Sequence, residues 1–300
     1  MNSRIIVIGS MNYDIILKGK RLPEKGETLP ADGCTFSSGG KGANQAVQAA
    51  KLGLCTYMVG CLGDDPMGDS VYESAAGYGV HTDYIQRVSG PTGLAIIHSM
   101  EDGSLHSVIV QGANFEISRE NIDAAAGLMD ENTIVLLQME IPQDINRYAI
   151  DLAKSHGCRV LLNAAPAREI EKEYLEKCDI LVVNEVEASF YSGRVPGSPE
   201  EGCAMAAELA AKYHNTVIIT LGSEGAAVSD GSRSIAIPPE KVRAIETTGA
   251  GDSFIGGTVY ALLNGKDIFE ACRFATKCSA VTVTRLGAQI AMPVLAEVTE

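Results

Sequence analysis

The chain has no tryptophan, no run of Lys and Arg, no CxxC pair and no apolar stretch of membrane-spanning length. Basic residues number 24 against 38 acidic ones, for a formal net charge of -14. A polyphosphate backbone is repelled by that balance, so no nucleic-acid partner is expected. The opening MNSRIIVIGSMNYD holds an apolar run too short for a signal peptide or a span, and no later window reaches the required length. No membrane association is expected, and a cytoplasmic protein is. The eight cysteines do not cluster with His81, His98, His106, His156 or His214, which argues against structural zinc. Most sit in apolar contexts, such as Cys61 in YMVGCLG, and free thiols suit a reducing compartment. Internal repeats, low-complexity tracts and long linkers are also missing. With 46% hydrophobic residues over 300 positions, a disordered or fibrous chain is excluded and one large α/β domain spanning 1–300 is expected.

What is present is a rhythm. RIIVIG, TYMVGCLG, TIVLLQ, CRVLLN, DILVVN and TVIITLG each read as a buried strand, and helical patterns lie between them. Continuous Ile, Val and Leu runs alternating with helices predict a mainly parallel sheet covered on both faces. Ala43–Leu54 places Ala43, Ala46, Val47, Ala50 and Leu54 on one helical face, with a stop at Gly53. Ser198–Tyr213 and Asp252–Leu263 behave similarly. Residues 12–36 and 92–110 break the rhythm with short β-like runs (YDIILKG, GLAIIHSM, SLHSVIV) and a turn signal at Glu101-Asp102-Gly103. They predict a small second sheet beside the main domain, able to serve as a lid. Antiparallel extension of the main sheet's edge would give the same pattern.

The stretch TTGAGDSF, Thr247–Phe254, carries the clearest chemical signal. Its small residues leave backbone N–H groups uncovered, and the following helix aims the positive end of its dipole at the same point, which makes an anion hole. A carboxylate there would repel a phosphate unless it has its own task, and accepting a proton from an attacking hydroxyl is such a task. A plain helix N-cap by Asp252 is the alternative. SSGGKGANQAV, Ser37–Val47, fits neither the P-loop nor the GxGxxG pattern. It offers close backbone approach at Gly39, Gly40 and Gly42, with Lys41 and Asn44 as polar reach, which suits a neutral polyol.

Polar residues also follow several strands: Asn12 and Asp14, Glu140, Asn184 with Glu187, and the turn TLGSEG at Thr220–Gly225. Ligands of open α/β sheets gather at the carboxyl ends of strands, so these residues are placed to meet one. Each alone could be a cap or a turn former. Together they are expected to line a ligand site.

Taken in order, Gly39-Gly40-Lys41-Gly42-Ala43-Asn44-Gln45-Ala46 and Thr248-Gly249-Ala250-Gly251-Asp252-Ser253-Phe254 resemble the two signatures of the ribokinase-like sugar and nucleoside kinases, over essentially the full length. The GGKGANQA form favours the ribose branch over the fructokinase and adenosine kinase branches. The resemblance implies a three-layer α/β/α domain with a small β-sheet lid that also serves as a homodimer interface. It implies transfer of phosphate from ATP to the 5-hydroxyl of D-ribose, with Asp252 as base and Gly249, Ala250 and Gly251 as the anion hole. Asn12, Asp14, Gly40, Lys41, Gly42, Asn44 and Glu140 carry over as sugar contacts. Asn184 and Glu187 carry over to Mg²⁺ and phosphates, Thr220, Gly222, Ser223 and Gly225 to ATP, and Thr276 to the adenine. A potassium ion is implied beside the anion hole, held around Glu246, Thr248, Thr282, Arg285, Gly287 and Ala291. The family usually carries Asp where this chain has Glu246, so the longer carboxylate must fold back or the loop must shift. A kinase for 2-deoxyribose, a ketohexose or adenosine, and a non-catalytic sugar sensor, are the competing readings. Adenosine would want a base sandwich, for which the small sheet offers Phe36 and Tyr13 but no tryptophan. An intact Asp252 speaks against a sensor.

Overall fold

The computed structural model describes residues 3–101 and 105–299. In chain order the strands are β1 (Arg4–Ile8), β2 (Asn12–Gly19), β3 (Gly33–Gly39), β4 (Cys55–Gly63), β5 (His81–Val88), β6 (Gly93–Met100), β7 (Leu105–Val110), β8 (Thr133–Gln138), β9 (Arg159–Asn163), β10 (Ile180–Asn184), β11 (Thr216–Thr220), β12 (Ala226–Ser229) and β13 (Ser234–Ile237). The helices are α1 (Lys41–Lys51), α2 (Pro66–Gly77), α3 (Arg119–Ala125), α4 (Gln143–Ser155), α5 (Lys172–Lys177), α6 (Glu185–Ser192), α7 (Pro199–Tyr213), α8 (Ala250–Leu263), α9 (Ile268–Val283) and α10 (Ala296–Thr299).

Period-2 alternation along the central strands divides their apolar side chains between two cores. Ile6, Ile8, Val135, Leu137, Leu162 and Val183 face one core, which α4 and α7 cover with residues such as Ile150 and Leu209. Ile5, Val7, Ile134, Leu136, Leu161 and Val182 face the other, covered by α1, α8 and α9 through Val47, Val259 and Phe269. Leu136 is fully buried in that second core, and truncating such a side chain to Ala costs about 2–5 kcal/mol. The result is three layers around a nine-stranded sheet of order β13-β12-β11-β10-β9-β8-β1-β4-β5. Its pairings are parallel from β5 to β11 and antiparallel at β11–β12 and β12–β13. The carboxyl ends of β1, β8, β9, β10 and β11 therefore open on one edge, where ligands of such sheets bind.

A separate four-stranded sheet has the order β3-β2-β6-β7. β3 runs to Gly39, three residues past the expected boundary at Phe36. The expected turn at Asp102-Gly103 lies outside the described residues. β2 leaves the main domain only four residues after β1 ends, and β3 feeds α1 through Gly40. Asn12 pairs with both Gly39 and Gly93, so three strand ends of the small sheet converge beside the open edge of the large one. Cross-strand register puts Tyr13, Ile15, Phe36, Ile96 and Val108 on one face, and Asn12 and Asp14 on the opposite face.

Candidate functional site

The turn before α8 and the start of α1 meet around Asp252. Helix α8 begins at Ala250, two residues before the sequence pattern predicts, and its N-cap is Gly249 in the left-handed region at φ 77°. Asp252 thus lies in the first turn and is not the cap. Its carboxylate turns inward: Asn44 Nδ2 donates to Oδ2 at 2.9 Å and Gln45 Nε2 to Oδ1 at 2.8 Å. No side chain caps α8. The amide of Ala250 donates to the Thr247 carbonyl at 3.2 Å. At Gly251 a β-carbon would meet nothing within 4 Å, so the mouth of the turn is open. Bare amides and the dipole of a four-turn helix make this an anion-attracting point.

Glycine is required where α1 starts. Gly40 has φ 86°, and a β-carbon on it would come within 2.7 Å of the Asn12 nitrogen. At Gly42 the same atom would be 2.7 Å from the Ser10 carbonyl. The close approach lets the Ala43 amide donate to that carbonyl at 2.9 Å, docking α1 on the end of β1. Ser10 Oγ donates to Glu140, whose Oε2 also accepts the Lys41 amide at 3.2 Å. Asn12 Oδ1 accepts from Asn114 Nδ2 at 2.8 Å. Asp14 is buried, and its Oδ1 has no hydrogen-bond partner. A buried carboxylate oxygen left unpaired is costly, and a hydroxyl donor from a ligand would satisfy it.

Four carboxylates surround Lys41. Burial opposes the charge of Lys41, but Asp252, Glu140, Glu187 and Asp14 outweigh burial and its pKa rises. Burial pushes the Asp252 carboxyl upward, while Lys41 and the Asn44 and Gln45 amides pull in the opposite direction. Asp14 is pushed up to about 7, first by burial and then by the charges of Glu140 and Asp252, against Lys41. Perturbed carboxyls grouped around one lysine are a physical mark of a working site.

The NxxE pair forms a capping box on α6. Asn184 Oδ1 accepts the amides of Val186 and Glu187 at 2.8 and 3.0 Å, and Glu187 Oε2 accepts the Asn184 amide at 2.9 Å. Glu187 is buried, which raises its pKa, and its charge reaches Lys41 across the edge. Thr220 closes β11, while Gly222 and Ser223 form an exposed turn beyond it. Gly225 has a packing reason of its own, since a β-carbon there would be 2.1 Å from the Ile237 carbonyl. Thr276 is buried in α9, and its hydroxyl donates to the Cys272 carbonyl at 2.8 Å.

The loop carrying Glu246 is joined to the segment after α9. Ile245 and Glu246 amides donate to the Val283 carbonyl, and Glu246 Oε2 accepts the Gly287 amide at 3.0 Å. The longer carboxylate thus reaches across to the turn at Gly287, where φ is 90°. Thr282 Oγ1 is spent on Ser253 and on the Cys278 carbonyl, and Arg285 pairs with Glu297. What these positions offer a cation is therefore backbone oxygen and one carboxylate. Ala291 is buried, and the same segment backs the turn before α8, with Ala288 and Met292 against Gly249. Thr248 is the residue just before Gly249 in that turn.

Sequence reasoning passed over Ser10, Asn114, Gln138 and Gln289, and gave Gln45 no role of its own. Ser10 carried a signal, being polar just after a strand. The others are polar residues whose partners lie far away along the chain.

The edge of a doubly covered α/β sheet, with an anion-attracting helix start facing a cluster of carboxylates, suits transfer of an anionic group to a polar acceptor. Residues 2–295 match the family described as pfkB family carbohydrate kinase, and the chain belongs to it. A deoxyribokinase of Salmonella typhi is 36% identical over 298 residues, covering 99% of this chain and 97% of its own. A ribokinase of Haemophilus influenzae is 36% identical over 301 residues, covering 100% and 98%. The Arabidopsis thaliana ribokinase, solved with ribose and ATP, superposes with a TM-score of 0.89 at 35% identity, covering 100% of this chain and 98% of that one. The enzyme class is therefore a phosphotransferase with an alcohol group as acceptor.

Proposed function

We propose that this carbohydrate kinase transfers the γ-phosphoryl group of ATP to the 5-hydroxyl of D-ribose, giving ribose 5-phosphate and ADP. The observation that carries this reading is Asp252 itself, a buried carboxylate fixed by two amides in the first turn of α8, where a phosphoryl group would be drawn. It accepts the hydroxyl proton as the sugar oxygen bonds to the γ-phosphorus and the bond to the β–γ bridging oxygen breaks. The start of α8, from Gly249 through Ala250 to Gly251, faces the charge that develops on the phosphoryl oxygens. Because the Ala250 amide already donates to Thr247, the Gly251 amide and the helix dipole carry most of that stabilisation.

Asn12, Asp14, Gly40, Lys41, Gly42, Asn44 and Glu140 hold the sugar. They present a wall of donors and acceptors, with Asp14 Oδ1 awaiting a hydroxyl. A site built to pair hydroxyls rejects an acceptor that lacks one, because a buried polar group is then left unpaired. With the 2-hydroxyl on Asp14, the site would favour D-ribose over 2-deoxyribose. Thr220, Gly222, Ser223, Gly225 and Thr276 flank the nucleotide. Asn184 spends its side-chain oxygen on capping, so its part toward Mg²⁺ is to orient Glu187, whose Oε2 accepts the Asn184 amide. Mg²⁺, when bound, neutralises phosphate charge. The Glu246, Thr248, Thr282, Arg285, Gly287 and Ala291 positions fit a potassium ion through backbone oxygens and the Glu246 carboxylate.

The small sheet's apolar face, with Phe36 59% and Val108 62% exposed, supports a homodimer through that sheet. Its opposite face bears Asn12 and Asp14 and would close over the sugar, excluding water as a competing acceptor. Among the described residues no helix is long and apolar enough to cross a membrane, and the free cysteines support a cytoplasmic location. The test is ADP release with D-ribose, 2-deoxyribose, fructose and adenosine. The highest kcat/KM on D-ribose is expected; a higher value on another acceptor moves the substrate assignment to it.

A further inference from the structure

A primary amide has a donor end and an acceptor end of nearly the same shape. Asn44 and Gln45 could therefore turn over and offer carbonyl oxygens to Asp252. Toward an ionised carboxylate that exchange replaces attraction by repulsion; toward a protonated one it supplies the acceptor that the O–H needs.

The direction is set from behind. Gln138 Nε2 donates to Gln45 Oε1 at 2.8 Å, and Gln289 Nε2 donates to Asn44 Oδ1 at 3.0 Å. Both glutamines are buried, at 0% and 4% exposure, and each is held in turn. Ser74 Oγ donates to Gln289 Oε1 and Lys51 Nζ to its backbone carbonyl, both at 3.1 Å. Gln138 ends β8, and its Oε1 is packed against Gly9, where a β-carbon would come within 1.8 Å. That oxygen has no hydrogen-bond partner, so the amide is committed through its donor end, to Gln45. Two amide chains, one from β8 and one from the segment after α9, converge on one carboxylate with their donor ends inward.

We propose that Gln138 and Gln289 are positioning residues that set the polarity of these chains, so that Asn44 and Gln45 present N–H groups and Asp252 stands as an acceptor-only carboxylate. The role of Asp252 as base rests on the kinase reading above; the geometry does not. The charged groups facing Asp252 are Lys41 at the start of α1, Glu140 after β8 and Asp14 on β2. From the segment beyond α9 comes Gln289, which reaches Asp252 through Asn44 and is not ionisable. None of the three charged groups belongs to an amide chain, so cutting a chain leaves them in place.

The test is a ¹³C-carboxyl NMR titration of full-length protein labelled at aspartate, with Asp252 assigned by its loss in Asp252→Asn. Gln138→Met and Gln289→Met keep similar volume and remove the donor. Each is expected to raise the Asp252 midpoint by about one pH unit, a tenfold gain in proton affinity, and to carry the acidic limb of kcat with it. A folded variant with an unchanged or lowered midpoint overturns the proposal, because a merely structural role lowers stability without moving the titration. If Gln138→Met does not fold, Gln289→Met decides alone. The titration needs no turnover: a wild type that forms no ADP from any sugar sinks the kinase reading, while the midpoints still decide the positioning role.

Discussion

The carboxylate of Asp14 stands directly over the α-carbon of Gly39, so closely that a β-carbon on Gly39 would lie 2.0 Å from Oδ2 and 2.5 Å from Cγ. No other residue at 39 is compatible with Asp14 in its present place. Gly39→Ala must displace the carboxylate, and overpacking of this kind costs about 1–3 kcal/mol. The expected outcome is a lowered Tm and a loss of D-ribose affinity of about tenfold or more, equivalent to roughly 1.4 kcal/mol. Combining it with Asp14→Ala should recover most of the stability but none of the affinity, a coupling that a double-mutant cycle reads directly. Additive stability losses would show that the two residues do not clash.

Asp14 also makes stability depend on pH. Its folded-state pKa of about 7 lies above the ordinary 3.8, so the folded protein keeps a proton that the unfolded chain has released. The sign follows from linkage: this contribution is complete below pH 3.8 and is lost as pH rises through about 7. Asp14→Asn removes it, and the variant should gain on the wild type by on the order of a few kcal/mol between pH 5 and 8. Urea midpoints across that range, measured without sugar, check this. Parallel curves for the two proteins would refute it.

The bond between Glu246 and the Gly287 amide leads to a prediction about cations. Glu246→Ala removes both a carboxylate and the tie that holds the turn behind Gly249. The expected result is a rise of about tenfold or more in the potassium concentration needed for half-maximal ADP release, about 1.4 kcal/mol of ion binding. Glu246→Asp is expected to restore activation. Equal potassium curves for wild type and Glu246→Ala would remove the ion from this loop.

Dimerisation is checked at the outer face of the small sheet. Phe36→Lys with Val108→Lys places two charges in an apolar patch that a stable dimer would have to desolvate. Sedimentation should show a dimer for the wild type and a monomer for the double variant. A wild-type monomer at micromolar concentration would rule this interface out.

The central strands could be read from residues such as Ile5–Ile8 and Leu181–Val183 because burial on both faces leaves continuous apolar runs. β5, HTDYIQRV, escaped because it is an edge strand with no buried residue and so no apolar run. The short antiparallel β12 and β13 carry too few residues to show a period. Two glycines of low helix propensity concealed the true start of α8. At the site, residues within the two signatures and at strand ends were legible because their positions alone imply a ligand. Gln138 and Gln289 were not. A glutamine reads as a solvent-facing residue until its partner is known, and these partners lie 93 and 245 residues away.

Asp252 as the base of a ribose kinase is tested by its amide variant. Asn at 252 is nearly isosteric and neutral, and its side-chain oxygen still accepts from one of the two amides that hold Asp252, so the folded fraction of the variant is checked alongside. D-ribose binding by calorimetry and D-ribose-dependent ADP release should therefore be measured on wild type and Asp252→Asn together. If Asp252 is the base, sugar affinity stays within about threefold of wild type and turnover falls by about a hundredfold or more. Near-normal turnover in Asp252→Asn would contradict it.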